Sequence, residues 1–257
     1  MYKYYSTERP VSLETYPKPK DNKPINIHNF DIKTYIQEIK CEAYGYIEYE
    51  KPLTSKQVKA YELVISDKII CLAGESGSGK LTIAELLEKE GYNYIQSYTT
   101  RKPRFKNERG HIFVENEPLW LKERGLNYYG IIAYTKFDNN SYWATKEQYQ
   151  GKGTSIYVID PIGVKTLREK VKDTEIVVIY LKTEKWIRAC RMWHREYDNS
   201  PCIWPQPHDW DDIGGEIKQR INNDRKAFKI VSCNYCIDAN RKVDEVFKDV
   251  KSVIEER

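Results

Sequence analysis

No stretch of this 257-residue sequence is apolar for long enough to cross a bilayer, and its opening, Met1-Tyr2-Lys3-Tyr4-Tyr5-Ser6, lacks the hydrophobic core of a secretory signal. Membrane and exported proteins are therefore disfavoured. Metal-ligand spacing is missing too. Cys233-Asn-Tyr-Cys236 is a lone pair, Cys190 and His194 lie four apart, and Cys202 with His208 completes no set of four ligands. With two cysteines inside apolar strand-like runs, reduced thiols in a cytoplasm are the expectation. Nor is there a dense basic stripe with interleaved aromatics. A formal net charge of +4 is too small for a general nucleic-acid surface, although it suits a protein whose ligands are polyanions. Internal repeats and low-complexity tracts are absent as well. The expected protein is soluble and cytoplasmic, with neither nucleic acid nor membrane as partner.

What the sequence does have is tyrosine, 21 in all, and a change of character near residue 65. Before it, Pro10, Pro17, Pro19 and Pro24 divide the chain and prevent a long early helix. Alternation over Cys41 to Glu50 predicts a strand with one buried face, and Thr54 predicts the cap of a helix over Ser55 to Val64. Residues 1–65 hold no clustered catalytic set, so they read as a small accessory module open to a protein partner. Residues 66–257 read as a second domain. There "KIICLAG", "TSIYVID", "EIVVIYL" and "AFKIVSC" predict buried strands alternating with helical segments "LTIAELLEKEG", "GVKTLREKV", "EKWIRACRMWHREY" and "GGEIKQRINNDRKAF". Such alternation predicts an α/β fold, a parallel sheet sandwiched by helices.

The sharpest motif is Gly74-Glu75-Ser76-Gly77-Ser78-Gly79-Lys80-Leu81-Thr82, between a predicted strand and a predicted helix. Three glycines let backbone N–H groups converge on phosphate oxygens, the helix N-terminus adds its positive end, and Lys80 reaches the outer phosphates. One position departs from the pattern. Leu81 stands where a magnesium-ligating hydroxyl would follow the lysine, with Thr82 one residue later, so no metal ligand is assigned directly.

Downstream, "SYTTRKPRFKNERGHIFV" brings Arg101 and Arg104 around Pro103, a rigid local frame for two guanidinium groups facing a second phosphate. "GESGSGK", "SYTTRKPR" and "GHIFV" in this order, followed by "YTKFDNNSYWAT", "VIDPIGVKTL", "RACRMWHRE", "IKQRI" and "VSCNYCID", resemble the guanylate kinases over about residues 68–250. The resemblance implies a three-layer P-loop kinase with a monophosphate-binding lobe and a mobile lid, which transfers the ATP γ-phosphoryl to GMP or dGMP with Mg2+. The opening "YYSTERPVSLETYPKP", with "INIHNFD" and "YGYIEYEKPLT", resembles a small module of Gram-positive bacterial and mobile-element proteins, with no mechanism attached.

By that resemblance Gly74, Glu75, Ser76, Gly77, Ser78, Gly79, Lys80, Leu81, Thr82 and Asn234 match ATP-binding positions. Ser97, Arg101, Arg104, His111, Tyr142, Thr145 and Asp160 match acceptor-binding positions, and Lys80, Arg191, Arg195 and Arg220 match the catalytic cations. Arg188, at helical spacing from Arg191 and Arg195, stays outside the set because an exposed helix face would also account for it. The base-reading half departs from the family. Ala133 occupies the place of the acidic guanine reader, Trp143 takes an aromatic position, and His111 sits where a phosphate-binding tyrosine is expected. Alanine cannot accept from guanine N–H groups, and leaving those groups unpaired costs about 1–3 kcal/mol. Phosphoryl transfer to GMP or dGMP is thus the leading expectation. Transfer to another nucleotide or small phosphorylated acceptor, and a noncatalytic guanylate-kinase-like binding domain, stay open beside it.

Overall fold

A computed structural model describes residues 2–104, 106–119, 121, 130–137, 139–172, 174–197, 207–229 and 231–255. The chain begins with β1 (Tyr2–Ser6), β2 (Pro24–Ile36), β3 (Cys41–Tyr49), the helix α1 (Ser55–Ala60) and β4 (Leu63–Ile65), and the four strands form a sheet in the order β2-β3-β1-β4. The alternation expected for Cys41 to Glu50 is observed, with Ala43, Ile47 and Tyr49 buried. Ile47 and Tyr49 pack with Tyr4, Val11, Tyr16, Leu53 and Leu63 in a core of their own. Buried hydroxyls in it are paired: Tyr49 Oη donates to the Pro17 carbonyl at 2.7 Å, and Tyr4 Oη accepts from the Leu53 amide at 2.8 Å. Thr54 does cap α1, in a capping box with Gln57, but the helix is shorter than expected. Leu63 to Ile65 pair with β1 instead, and Glu62 turns the chain with φ of 53°. Strand pairing has overridden helical propensity there.

From residue 68 the chain builds β5 (Lys68–Ala73), α2 (Lys80–Lys89), β6 (Asn93–Ile95), β7 (Ser97–Thr99), β8 (His111–Phe113), β9 (Ile131–Phe137) and β10 (Asn140–Thr145). Next come β11 (Thr154–Val158), α3 (Pro161–Lys170), β12 (Glu175–Lys182), α4 (Lys185–Tyr197), α5 (Gly215–Ala227), β13 (Tyr235–Asp238) and α6 (Val243–Glu255). Five strands form a parallel sheet in the order β13-β12-β5-β11-β6. The unbroken apolar run of β5 has a direct cause. Ile69, Cys71 and Ala73 enter a core with Val164 and Leu167 of α3, while Ile70 and Leu72 enter one with Ile83 and Leu87 of α2 and Val246 and Val250 of α6. Helices cover both faces, so neither face tolerates a polar residue. The mixed α/β architecture, with a five-stranded parallel sheet between helices, is as expected.

One strand was misplaced by sequence. None of the described residues of "AFKIVSC" is in a strand: α5 runs through Ala227, and the strand is Tyr235–Asp238 at the sheet edge. Cys233 and Cys236 are accordingly exposed rather than buried. Among the described residues no group of His, Cys, Asp or Glu could hold a metal, and no helix is long and apolar enough to cross a membrane. Cys202 and most of the 201–210 loop lie outside the described residues.

Two smaller units stand on the parallel sheet. A second sheet, β8-β7-β10-β9, turns Tyr98 and Trp143 to one face, where their rings stack at 5.6 Å. Helices α4 and α5 share a core of Ala189, Met192, Ile217 and Ile221. The first sheet meets the opposite, N-terminal end of the parallel strands. Lys40 Nζ donates to the Lys172 carbonyl at 2.9 Å, Ser66 Oγ to the Glu38 carbonyl at 3.2 Å, and Tyr2 and Tyr92 rings lie 6.4 Å apart.

Candidate active site

At the C-terminal end of β5 the chain makes the loop that its glycines predict. Gly74, Gly77 and Gly79 have φ of 156°, 79° and 92°. A Cβ on Gly74 would meet the Leu181 carbonyl at 2.8 Å, and one on Gly77 the Arg188 carbonyl at 2.6 Å, so both backbone shape and space demand glycine. Gly79 then opens α2, whose N-terminus points its free N–H groups at the loop. Lys80 Nζ donates to the carbonyls of Gly74 at 2.6 Å and Glu75 at 2.9 Å. Burial lowers its pKa to about 8, against the opposing pull of Asp224.

The loop separates two clefts. On one side Ser78, Gly79 and Thr82 face Arg191, Arg241 and Val243 across about 160 Å³. On the other, Gly74, Ser76 and Lys80 face Ser97, Arg104, His111, Ala133, Tyr142 and Asp160 across about 250 Å³. The second cleft therefore gathers most of the residues expected to hold an acceptor. β-Strand alternation explains the grouping, since Tyr142 stands opposite Thr135 and Thr99, on the face away from Trp143.

Two expected residues fall elsewhere. Thr145 shares the Trp143 face, lines a groove with Tyr98 and Glu147, and caps a 3-10 turn at Lys146–Gln148. Asn234 spends its amide on the sheet: its Oδ1 accepts from Val178 N at 2.9 Å. Its own N–H reaches the Val178 carbonyl, and Val178 is level with Cys71, three residues back from Gly74. That is about 10 Å from the loop. Ala239, Arg241 and Val243, one strand further on, line the first cleft instead.

Beside the second cleft Arg101 and Arg104 share a carboxylate that the motif did not flag. Glu108 takes Arg101 Nη2 at 2.9 Å and Nη1 at 3.0 Å, and accepts the Arg104 amide at 2.7 Å. Burial pushes the Glu108 carboxyl up, yet the Arg101 and Arg104 contacts outweigh it and hold the group below its ordinary range. Arg101 also lies over the Phe113 ring at 5.2 Å, with its Nε buried and unbonded. Arg104 is the member that lines the cleft, and burial followed by the charge of Arg220 lowers its pKa.

His111 packs edge-on to Tyr142 at 5.6 Å and has a buried Nδ1 without a hydrogen-bond partner. Burial, then Arg101, brings its pKa down to about 4, so the ring is neutral at pH 7. Ser97 Oγ lies 3.1 Å from Tyr157 Oη. Asp160 caps α3: its Oδ1 accepts from Ile162 and Gly163 N–H at 2.9 and 3.0 Å, ahead of Pro161 at the first helical position. Ala133 is buried in the cleft wall.

Helices α4 and α5 supply the remaining cations. Arg191 Nη2 donates to the Ala239 carbonyl at 2.9 Å and Nη1 reaches the Gly77 carbonyl at 3.5 Å. Arg195 is exposed on the same helix, close enough for its charge to depress Lys80. Arg220 stands near Arg104. Arg188, left aside by sequence, is 4% exposed and ion-pairs with Glu75 at 3.2 Å and Asp224 at 3.5 Å. Its neighbours Ala189 and Met192 are buried too, and an arginine inside a buried helix stripe signals counter-charges nearby. Leu81 touches Gly110, where a Cβ would stand 2.9 Å from Leu81 Cδ1. An apolar contact between the phosphate-loop helix and the start of β8 thus replaces the hydroxyl.

Residues 1–68 match the family model described as Defence against restriction A C-terminal. No curated protein sequence matches the chain. Among solved structures, guanylate kinase from Anaplasma phagocytophilum is similar at a TM-score of 0.50 and 18% identity, over 75% of this chain and 87% of that one. A gluconokinase from Sinorhizobium meliloti 1021 is similar at a TM-score of 0.38 and 13% identity, over 74% of this chain and 93% of that one. The likeness to the guanylate kinase structure and the five-stranded parallel sheet behind the glycine loop give this chain a P-loop kinase fold.

Proposed function

We propose that the chain is a nucleoside-monophosphate kinase that moves the γ-phosphoryl group of ATP to GMP or dGMP. The observation that carries this reading is the phosphate loop standing between two clefts, one lined by Arg191 of α4 and the other by Arg104 of the segment before β8, with Arg220 of α5 near Arg104. A nucleotide phosphate chain laid along Ser78, Gly79 and Thr82 would end beside Lys80 and Ser76, where the acceptor-side cleft begins.

Each side chain has a task in that transfer. Arg104, with Arg101 behind it, holds the acceptor phosphate, which already presents an anionic oxygen and needs no general base. Neutral His111 offers a hydrogen bond there without adding charge. Lys80, Arg191, Arg195 and Arg220 neutralise the negative charge spread over the moving phosphoryl group. Closure of α4 and α5 excludes water that would otherwise take the phosphoryl group. Magnesium would arrive with ATP as part of the substrate, held by phosphate oxygens and water, because position 81 is leucine.

The acceptor base is the less supported half. Ala133 brings no hydrogen-bond acceptor to the wall where guanine would be read, which favours a second reading with another nucleotide as acceptor. We assign residues 1–65 to an accessory module mounted at the far end of the sheet from the phosphate loop, with its own core and an open role toward a protein partner. The free cysteines suit a cytoplasmic setting. A panel of ribo- and deoxynucleoside monophosphates, assayed for ADP release from ATP with magnesium, tests the proposal. Preference for GMP or dGMP supports the first reading, and preference for another base supports the second. No acceptor-dependent ADP release across a complete panel rejects both.

A further inference from the structure

The phosphate loop is already engaged by an anion from its own chain. Asp224 lies in α5 one turn beyond Arg220, and its Oδ2 accepts the Ser76 amide at 2.7 Å. Ser76 Oγ donates to Oδ1 at 3.3 Å, and Arg188 Nη1 reaches the same Oδ2 at 3.5 Å while its Nη2 pairs with Glu75 at 3.2 Å. This joins α4, α5 and the loop through residues 112 and 148 positions apart in sequence.

The place matters more than the pairing. Of the loop residues, Ser78 and Gly79 face the donor-side pocket, whereas Ser76 and Lys80 face the acceptor-side cleft together with Asp224. A phosphoryl group passing from one cleft to the other must go by Ser76 and Lys80. A carboxylate and a phosphate cannot share one N–H donor at hydrogen-bond distance, because both are acceptors and both are negative.

We propose that Asp224 is an internal competitor for the terminal phosphate of the donor: its carboxylate holds the Ser76 amide until ATP displaces it. The proposal rests on the phosphate loop binding ATP. ADP lacks the terminal phosphate and leaves Asp224 in place, so the competition falls on ATP alone. Displacement also carries a consequence for the lid. Arg220 and Asp224 are neighbours along one face of α5, so expelling the carboxylate shifts the arginine that stands near Arg104. Donor occupancy is thereby coupled to the position of a catalytic cation.

The test is calorimetric titration of the full chain with MgATP and MgADP, for the unaltered chain, D224N, D224A and E216Q, the last being a control at an exposed carboxylate in the first turn of the same helix. Removing the charge at 224 should tighten ATP about tenfold, the scale of one charge-assisted hydrogen bond, and change ADP less than about threefold. E216Q should match the unaltered chain. Equal tightening of both nucleotides, or ATP affinity that is unchanged or weaker in D224N, overturns the competitor role. D224N keeps the shape of the side chain and carries the test where D224A fails to fold. If neither the unaltered chain nor D224N binds either nucleotide, the donor reading itself falls and takes this inference with it. Nucleotide binding with an unchanged ATP to ADP ratio removes the inference alone.

Discussion

Glu108 binds Arg101 through both carboxylate oxygens, at 2.9 and 3.0 Å, and fixes the next arginine by accepting the Arg104 amide at 2.7 Å. One acidic side chain thus sets the direction of the guanidinium group that lines the acceptor-side cleft. Replacing Glu108 with Gln leaves the shape and removes the charge. Acceptor KM should rise at least tenfold while ATP KM stays within about twofold, and thermal unfolding should show a loss of about 1–3 kcal/mol. Equal changes in both KM values would mean that Glu108 supports the fold rather than the acceptor.

The same carboxylate sets an acid limit. Its folded pKa is depressed, so its stabilising effect is present above the unfolded value and is lost as pH falls through the folded one. Urea midpoints should therefore fall with acidification below the ordinary glutamate range, and more shallowly in E108Q. His111 acts in a neighbouring window with the same sign. Its pKa is about 4 when folded and 6.5 when free, so the unfolded chain binds the extra proton between these values and stability declines as pH drops from 6.5 toward 4. An H111F chain should lose that part of the slope.

Lys80 predicts a pH dependence of donor binding. Its pKa of about 8 means that the ammonium is mostly present at pH 7 and mostly lost at pH 9. ATP Kd should weaken about tenfold between those two values, and K80R, which keeps its charge, should show a flat profile. A flat profile in the unaltered chain would place Lys80 outside the phosphate contacts.

Gly77 is a loop position that cannot accept a side chain without movement of its neighbours. Its φ is 79°, and a Cβ there would stand 2.6 Å from the Arg188 carbonyl, so G77A must push apart the loop and α4. ATP binding should fall by at least tenfold, with a stability loss of about 1–3 kcal/mol. Calorimetry and thermal unfolding on the same sample separate the two effects.

How far the sequence led depends on whether the determinant was local. The glycine loop and the β5 run are written in neighbouring residues, and each stands where its pattern predicted. β13 was missed because an edge strand needs no apolar run, and Tyr235–Asp238 keeps only Ile237 buried. "AFKIVSC" has the composition of a strand, but its first residue, Ala227, ends α5. The pairings of Arg188 and Asp224 were hidden for a different reason. Spacing along a helix tells which residues share a face, whereas their pairing with Glu75 and Ser76 depends on how two distant helices pack against the loop. Thr145 and Asn234 were aligned by motif order alone, and strand face and strand height put them outside both clefts.

The most direct measurement follows the γ-phosphoryl group itself. With ATP labelled at that position, magnesium and a nucleoside monophosphate acceptor, the label should appear in the corresponding diphosphate in the unaltered chain. K80A should lose at least 100-fold of that transfer, on the order of 3 kcal/mol of transition-state stabilisation. Label that stays in ATP, passes only to water, or reaches the diphosphate equally well in a folded K80A chain would contradict phosphoryl transfer at this loop.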